Sequence, residues 1–165
     1  RDYYSYLWTK QRGVSASSIL DDIPKSLSQE ILMFLNREVV NRVEIFRGAD
    51  ELFIRESVQL LKPRVFLPGE YIIRQGEYGD CMYFLTSGEV RIVIDGSDIT
   101  RLGPGSPFGE TALVENLHRN ASVVSEGYST GYQLVKDDFD KLRAKYPDFD
   151  RQVREVVEAR KQRQR

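Results

Sequence analysis

The chain has 165 residues, 41% hydrophobic and 11% aromatic, with 24 basic against 25 acidic side chains for a formal charge of -1. That is enough for one good core with a smaller attached element, and the balanced charge excludes a global field drawing the chain to nucleic acid or anionic lipid. A single cysteine, Cys81, and a single histidine, His118, exclude an internal disulfide framework, a cysteine-rich zinc site and a multi-histidine metal centre.

No apolar run comes near the ~18 residues that a bilayer span needs, and no signal peptide is visible. The first residue is Arg1 rather than Met, which reads as a piece of a longer protein. Residues 1 to about 62 read as helices. Tyr3, Tyr4, Tyr6, Leu7 and Trp8 form a cluster too apolar for a free surface helix, suited to helix packing or to a subunit interface. Ser26 and Gln29 make a capping box, and Leu27, Ile31, Leu35, Val39, Val40 and Val43 an apolar stripe of mostly helical period. Asp50 signals a further helix through Leu52, Ile54, Val58 and Leu61, which Lys62-Pro63 should stop.

From residue 64 to about 135 the period shifts toward two. Pro68-Gly69, Gly76, Gly79-Asp80, Ser87-Gly88, Asp95-Gly96 and Gly103-Pro104-Gly105 punctuate the runs YII, CMYFL, VRIVI and DITRL. Short, evenly spaced strands predict a sandwich or jelly roll, with Val90, Ile92 and Ile94 facing its inside. Asp137 is expected to cap a helix through Phe139 and Leu142 that halts at Pro147. Asp148 is expected to start another, with Phe149, Val153, Val156 and Val157 on its buried side. The predicted class is α+β: an antiparallel β-roll flanked by helices and preceded by an all-helical segment. After Arg160 the tail is basic, which suits a solvated helix end.

The stretch FGETALVENLHRNAS, residues 108 to 122, carries the chemistry. Pro104, Gly105 and Pro107 enforce a tight approach, Gly109 lets backbone come close to a ligand, and Thr111 to Leu117 suit one or two helical turns. Free N–H groups at such a start favour an anion, and the planar fork of Arg119 matches phosphate oxygens. Glu110 would be repelled by phosphate and better accepts from a hydroxyl. The bland alternative for Glu110 and Arg119 is a surface ion pair beside a turn, contributing about 0–1 kcal/mol. Cys81 and His118 read as structural or incidental.

Phe108-Gly109-Glu110, eight residues, Arg119, one residue, Ala121 resembles the phosphate-binding cassette of cyclic nucleotide-binding domains, and the strand signals lie in that family's order. The resemblance implies Glu110 on the ribose 2′-hydroxyl, Arg119 on the cyclic phosphate, and the N–H of Ala112 as a further phosphate contact. It places Ile92 and Leu102 against the purine, with Phe108, Gly109, Thr111, Asn120 and Ala121 completing the ligand-binding set. Counted from Tyr146-Pro147, Arg160 matches the arginine that the final helix places over the base; a solvated basic tail is the alternative. The implied ligand is cAMP, with cGMP possible; no cofactor, metal or catalytic residue is implied. About 22 non-hydrogen atoms at roughly 0.3 kcal/mol each give about 7 kcal/mol, a dissociation constant of about 10 µM or somewhat tighter.

Upstream, DYYSYLWTKQRGV followed by ILDDIPKSLSQEI is similar to the helical C-linker of cyclic-nucleotide-gated and hyperpolarization-activated channels, most like the prokaryotic cyclic-nucleotide-gated potassium channels. The expected layout is a partial C-linker over residues 1–47 and a nucleotide domain over 48–165. In the latter the roll spans about 64–135, the cassette about 105–122 and the lid helix about 148–163. The resemblance implies a cytoplasmic module of an inner or plasma membrane channel, homotetrameric at full length, with no nucleic-acid partner. Asn120, where many channels carry Thr, and Gln164, where cGMP-selective channels use an acid, both lean toward cAMP. The alternative is a nucleotide-sensing domain of a kinase or transcription regulator. Only 18 residues follow Pro147, too few for a helix-turn-helix, and no inhibitory substrate-like segment is visible. A cupin-like metalloenzyme fails for want of histidines.

Overall fold

The computed structural model describes residues 24–27, 30, 37, 42, 43, 46 and 48–163. The chain divides into two units, Arg1–Asn36 and Arg37–Arg165. In the first, residues 25–27 and 30 are helical and exposed. The tyrosine–tryptophan cluster, Gln29 of the capping box and most of the proposed linker lie outside the described residues, as does Gln164.

The second unit carries the fold. Helix α1, Glu51–Leu60, starts where the Asp50 side chain accepts from the Leu52 N–H at 3.2 Å, and it buries Phe53, Ser57 and Val58 on one face. It ends at Leu61, which is already extended; Pro63 bars the α conformation to its predecessor and has no N–H to continue the ladder. Strands β1 (Lys62–Phe66), β2 (Tyr71–Ile73), β3 (Cys81–Ser87), β4 (Val90–Ile94), β5 (Ser97–Leu102) and β6 (Pro107–Phe108) follow. After helix α2 (Glu110–Glu115) come β7 (Ser122–Ser125) and β8 (Ser129–Val135). Two four-stranded sheets result, ordered β1-β8-β3-β6 and β2-β7-β4-β5, with every pairing antiparallel. This is the expected α+β class, a β-roll with helices at both ends.

Strand β3 explains how two cores coexist. Six of its seven residues are buried, because successive side chains point to opposite faces and both faces are covered. Cys81, Tyr83 and Leu85 enter the roll with Phe66, Ile73, Val90, Phe108 and Val123. Met82 and Phe84 point the other way, with Leu134 of β8, against Phe46, Phe53, Phe139 and Phe149 of the helical layer. Val90 is fully buried and Ile92 packs on the inner cluster, whereas Ile94, at the hairpin end of β4, is only partly buried.

Two helix starts differ from the sequence expectation. Helix α3, Lys136–Lys145, begins before Asp137 with Val135 at its N-cap and no side-chain cap, so Asp137 lies inside the first turn, where its charge still suits the macrodipole. Helix α3 halts before Pro147 as expected, but helix α4, Pro147–Arg163, begins at that proline rather than at Asp148. The break falls at Tyr146, whose φ of -123° and ψ of 94° are extended; Pro147 then takes the first helical position, where its missing N–H costs nothing. Asp148 lies within that first turn rather than capping it.

Candidate functional site

The stretch from β6 to β7 folds around two left-handed residues, Gly109 and Asn116, one at each end of α2. Phe108 pairs with Tyr83 across β6 and β3, and their rings stack with centroids 5.2 Å apart. Gly109 then turns at φ 87°, capping α2. A Cβ there would lie 2.9 Å from Ile73 Cδ1 and 3.0 Å from Arg119 Nη1, so both conformation and space demand glycine. Helix α2 covers Glu110–Glu115, earlier at both ends than the turns expected from Thr111 to Leu117, because Asn116 at φ 57° ends it and the Leu117 N–H returns to the Ala112 carbonyl at 3.0 Å.

The chain then comes back along the β2–β3 loop. The Arg119 N–H donates to Glu77 O at 2.6 Å, and its carbonyl accepts from the Gly76 N–H at 2.9 Å. Next to it the Tyr78 and His118 rings meet with centroids 4.1 Å apart and planes tilted by 39°, a surface contact for the lone histidine. So anchored, the Arg119 side chain runs inward. Its Nη1 donates to Gly109 O at 2.7 Å and its Nη2 to Cys81 O at 2.6 Å, with the residue 6% exposed. The contribution of Cys81 is chiefly its backbone carbonyl; its buried thiol sulfur is 3.7 Å from Nη2.

These contacts satisfy donors without cancelling charge. Among the described residues Arg119 has one ion pair, to Asp80 at 3.9 Å, and that carboxylate is 90% exposed. A buried cation opposed mainly by neutral carbonyls remains a strong attractor for an anion. Glu110 is 1% exposed and pairs with another arginine: Arg160 of α4 donates through Nη1 to Glu110 Oε1 and through Nη2 to Pro107 O. The surface ion pair between Glu110 and Arg119 is therefore overturned, since both are buried and each has other partners. Glu110 Oε2 is buried without a hydrogen-bond partner. Burial pushes the Glu110 carboxyl above its ordinary range, while the charges of Arg160 and Arg119 draw it back down.

Beside these groups lies a cavity of about 300 Å³, at the small end of small-molecule sites. Ile92, Leu102, Phe108, Gly109, Thr111, Ala112, Arg119, Asn120, Ala121 and Arg160 line it. Glu110 stands behind that wall. Arg160 is thus no free tail residue, and Lys161 beside it pairs with Glu115 of α2. The sequence reading missed Ile73, Ile99, Thr100, Val123 and Arg163, which complete the wall. Ile73 and Val123 face each other across β2 and β7, and Thr100 faces Ile92 across β4 and β5; only strand register brings them in. Arg163 was within reach of helical spacing, three residues beyond Arg160 on the same side of α4.

Among the described residues no group of three or more His, Cys, Asp or Glu could hold a metal, and no helix is long and apolar enough to cross a membrane. The cyclic nucleotide-binding domain family matches residues 63–146. The chain is 36% identical over 146 residues to potassium/sodium hyperpolarization-activated cyclic nucleotide-gated channel 4 of Oryctolagus cuniculus, covering 88% of this chain and 12% of that protein. It is 32% identical over 161 residues to cyclic nucleotide-gated channel alpha-2 of Bos taurus, covering 93% and 24%. With cyclic nucleotide-gated channel beta-3 of Canis lupus familiaris the identity is 31% over 158 residues, covering 92% and 20%. The chain thus spans between an eighth and a quarter of these relatives' length. The chain belongs to the cyclic nucleotide-binding domain family and is homologous to the domains of hyperpolarization-activated and cyclic nucleotide-gated channels.

Proposed function

We propose that this chain is the ligand-sensing module of a cyclic-nucleotide-gated cation channel, binding cAMP, and cGMP less well, in the cavity beside Arg119. The observation that carries the reading is the Arg119 guanidinium, buried on the cavity wall and opposed by carbonyl oxygens at 2.6 and 2.7 Å, with the exposed Asp80 carboxylate 3.9 Å away. The cyclic phosphate would supply the missing charge. Glu110 would accept from the ribose 2′-hydroxyl, the Ala112 N–H would add a phosphate contact, and Ile92 and Leu102 would pack the purine while Arg160 covers it. Asn120, on the cavity wall, offers an amide where a hydroxyl would favour guanine.

The activity is a switch without chemistry. Ligand binding biases α4 toward its docked position only by its differential affinity for that form, typically about 1–3 kcal/mol. The hinge at Tyr146 abuts α1, where Phe53 lies 5.1 Å from both the Tyr146 and the Phe149 rings, so lid motion would be felt at the helix preceding the roll. In the parent protein residues 1–47 would serve as part of a C-linker carrying that motion to the pore, and residues 48–165 as the nucleotide domain. The assembly would be a homotetramer with this module on the cytoplasmic side of an inner or plasma membrane, conducting potassium, with no nucleic acid bound.

Calorimetric titration of the chain and of Arg119→Ala with cAMP and cGMP tests the reading. Wild type should bind cAMP with a dissociation constant of about 10 µM or tighter, and the variant at least about tenfold more weakly. Absence of heat with either nucleotide overturns it.

A further inference from the structure

Glu110 uses its two oxygens unequally. Oε1 accepts from Arg160 of α4, while Oε2 is buried and unpartnered. A carboxylate offers about four lone-pair positions, and leaving an oxygen buried without a donor is costly, so the arrangement is complete only when a further donor arrives. Arg160 is itself clamped, because its second nitrogen donates to Pro107 O of β6. The guanidinium therefore spans the strand before Gly109 and the first residue of α2. Its planar fork holds Oε1 from one direction and leaves Oε2 buried and uncommitted.

We propose that Arg160 is a positioning residue for Glu110: by holding Oε1 it presents Oε2 to the ligand's ribose hydroxyl, so one carboxylate joins sugar recognition to lid docking. The inference rests on the cyclic-nucleotide reading above and adds a role for Arg160 beyond covering the base. Burial raises the Glu110 carboxyl toward its neutral form and the Arg160 charge opposes that shift, so removing Arg160 would leave a poorer acceptor, free to rotate. The only other ion pair between α4 and α2 among the described residues is Lys161 with Glu115, which touches no atom of Glu110.

The two roles of Arg160 separate in a cycle that varies the ligand and the protein together. Dissociation constants for cAMP and 2′-deoxy-cAMP are measured by calorimetry on wild type, Arg160→Gln, Arg160→Lys and Glu110→Gln, with circular dichroism confirming that each is folded. Wild type should prefer cAMP by about tenfold or more, the size of a hydrogen bond to a charged acceptor. Arg160→Gln should lose most of that preference, as should Glu110→Gln, and Arg160→Lys should recover part of it by restoring the charge. If Arg160→Gln weakens both ligands equally and leaves the ratio intact, Arg160 only covers the base and the inference is wrong. A folded Arg160→Lys with no preference also overturns it. Should wild type bind neither nucleotide, the proposed function itself falls, an outcome distinct from binding without discrimination, which refutes only the role of Glu110 and Arg160.

Discussion

Gly79→Ala puts the close approach of the β2–β3 loop to α2 under direct test. A Cβ at Gly79 would lie 2.4 Å from the Ala112 Cβ and 3.4 Å from Arg119 Nη1. Carbon atoms rest about 3.5–4.0 Å apart, so loop or helix must yield by roughly 1 Å or more. The clash is with the Ala112 Cβ, which is fixed to the α2 backbone and is not the tip of a flexible side chain. Ala112 is buried on α2, and such overpacking costs about 1–3 kcal/mol, which for a domain of this size lowers Tm by roughly 3–15 °C. The displacement should also reach the ligand site, because Arg119 Nη1 bonds to Gly109 O at 2.7 Å at the head of the same helix. A loss of cAMP affinity of about tenfold is expected, comparable to losing one charged hydrogen bond. Gly96→Ala is the control: it sits at φ 79° in the β4–β5 turn with no atom within 4 Å of the added Cβ. It should incur only the left-handed backbone penalty of about 1–2 kcal/mol and leave affinity unchanged. Thermal melts and calorimetry on both variants decide the matter. Gly79→Ala with wild-type Tm and affinity would refute the tight approach, and equal loss of binding in Gly96→Ala would show that destabilisation alone is responsible.

Two further outcomes are expected. Phe53→Ala removes ring contacts to Phe46 at 5.6 Å and to Tyr146 and Phe149 at 5.1 Å, and should cost about 3–5 kcal/mol in urea unfolding; a change below about 1 kcal/mol would mean that α1 is not packed on the α3–α4 corner. Asp150 is held below its ordinary pKa of 3.8 first by the hydrogen bond from Arg143 at 2.5 Å and also by one from Arg154 at 3.0 Å. A depressed carboxyl contributes stability above its unfolded pKa and loses it as pH falls through the folded value. Wild type should therefore exceed Asp150→Asn by about 0.2–1 kcal/mol near neutrality, with the gap closing below 3.8; a gap independent of pH would exclude the charge as its source.

Local features of the chain carry what depends on neighbours within a few residues. Alternation and turn residues placed strands β2 to β5, Asp50 and Pro63 bounded α1, and the spacing of Gly109, Glu110 and Arg119 marked the candidate site. The same local reasoning misplaced the α3 and α4 starts. An acidic residue serves as a cap or within the first turn, and a proline ends one helix or opens the next; the difference is the backbone angle at Tyr146, set by packing among Phe53, Tyr146 and Phe149.

Tertiary structure alone decided the partners. Whether Glu110 met Arg119 or Arg160 depended on where a helix beginning 37 residues after Glu110 laid its last turns, and no spacing rule spans that separation. The far wall of the cavity, Ile73 with Val123 and Thr100 with Ile92, exists only through cross-strand register. Short-range geometry is encoded by propensity and sterics over a few bonds, whereas charge pairing and cavity shape follow from burial, which requires the whole roll and its lid to close first.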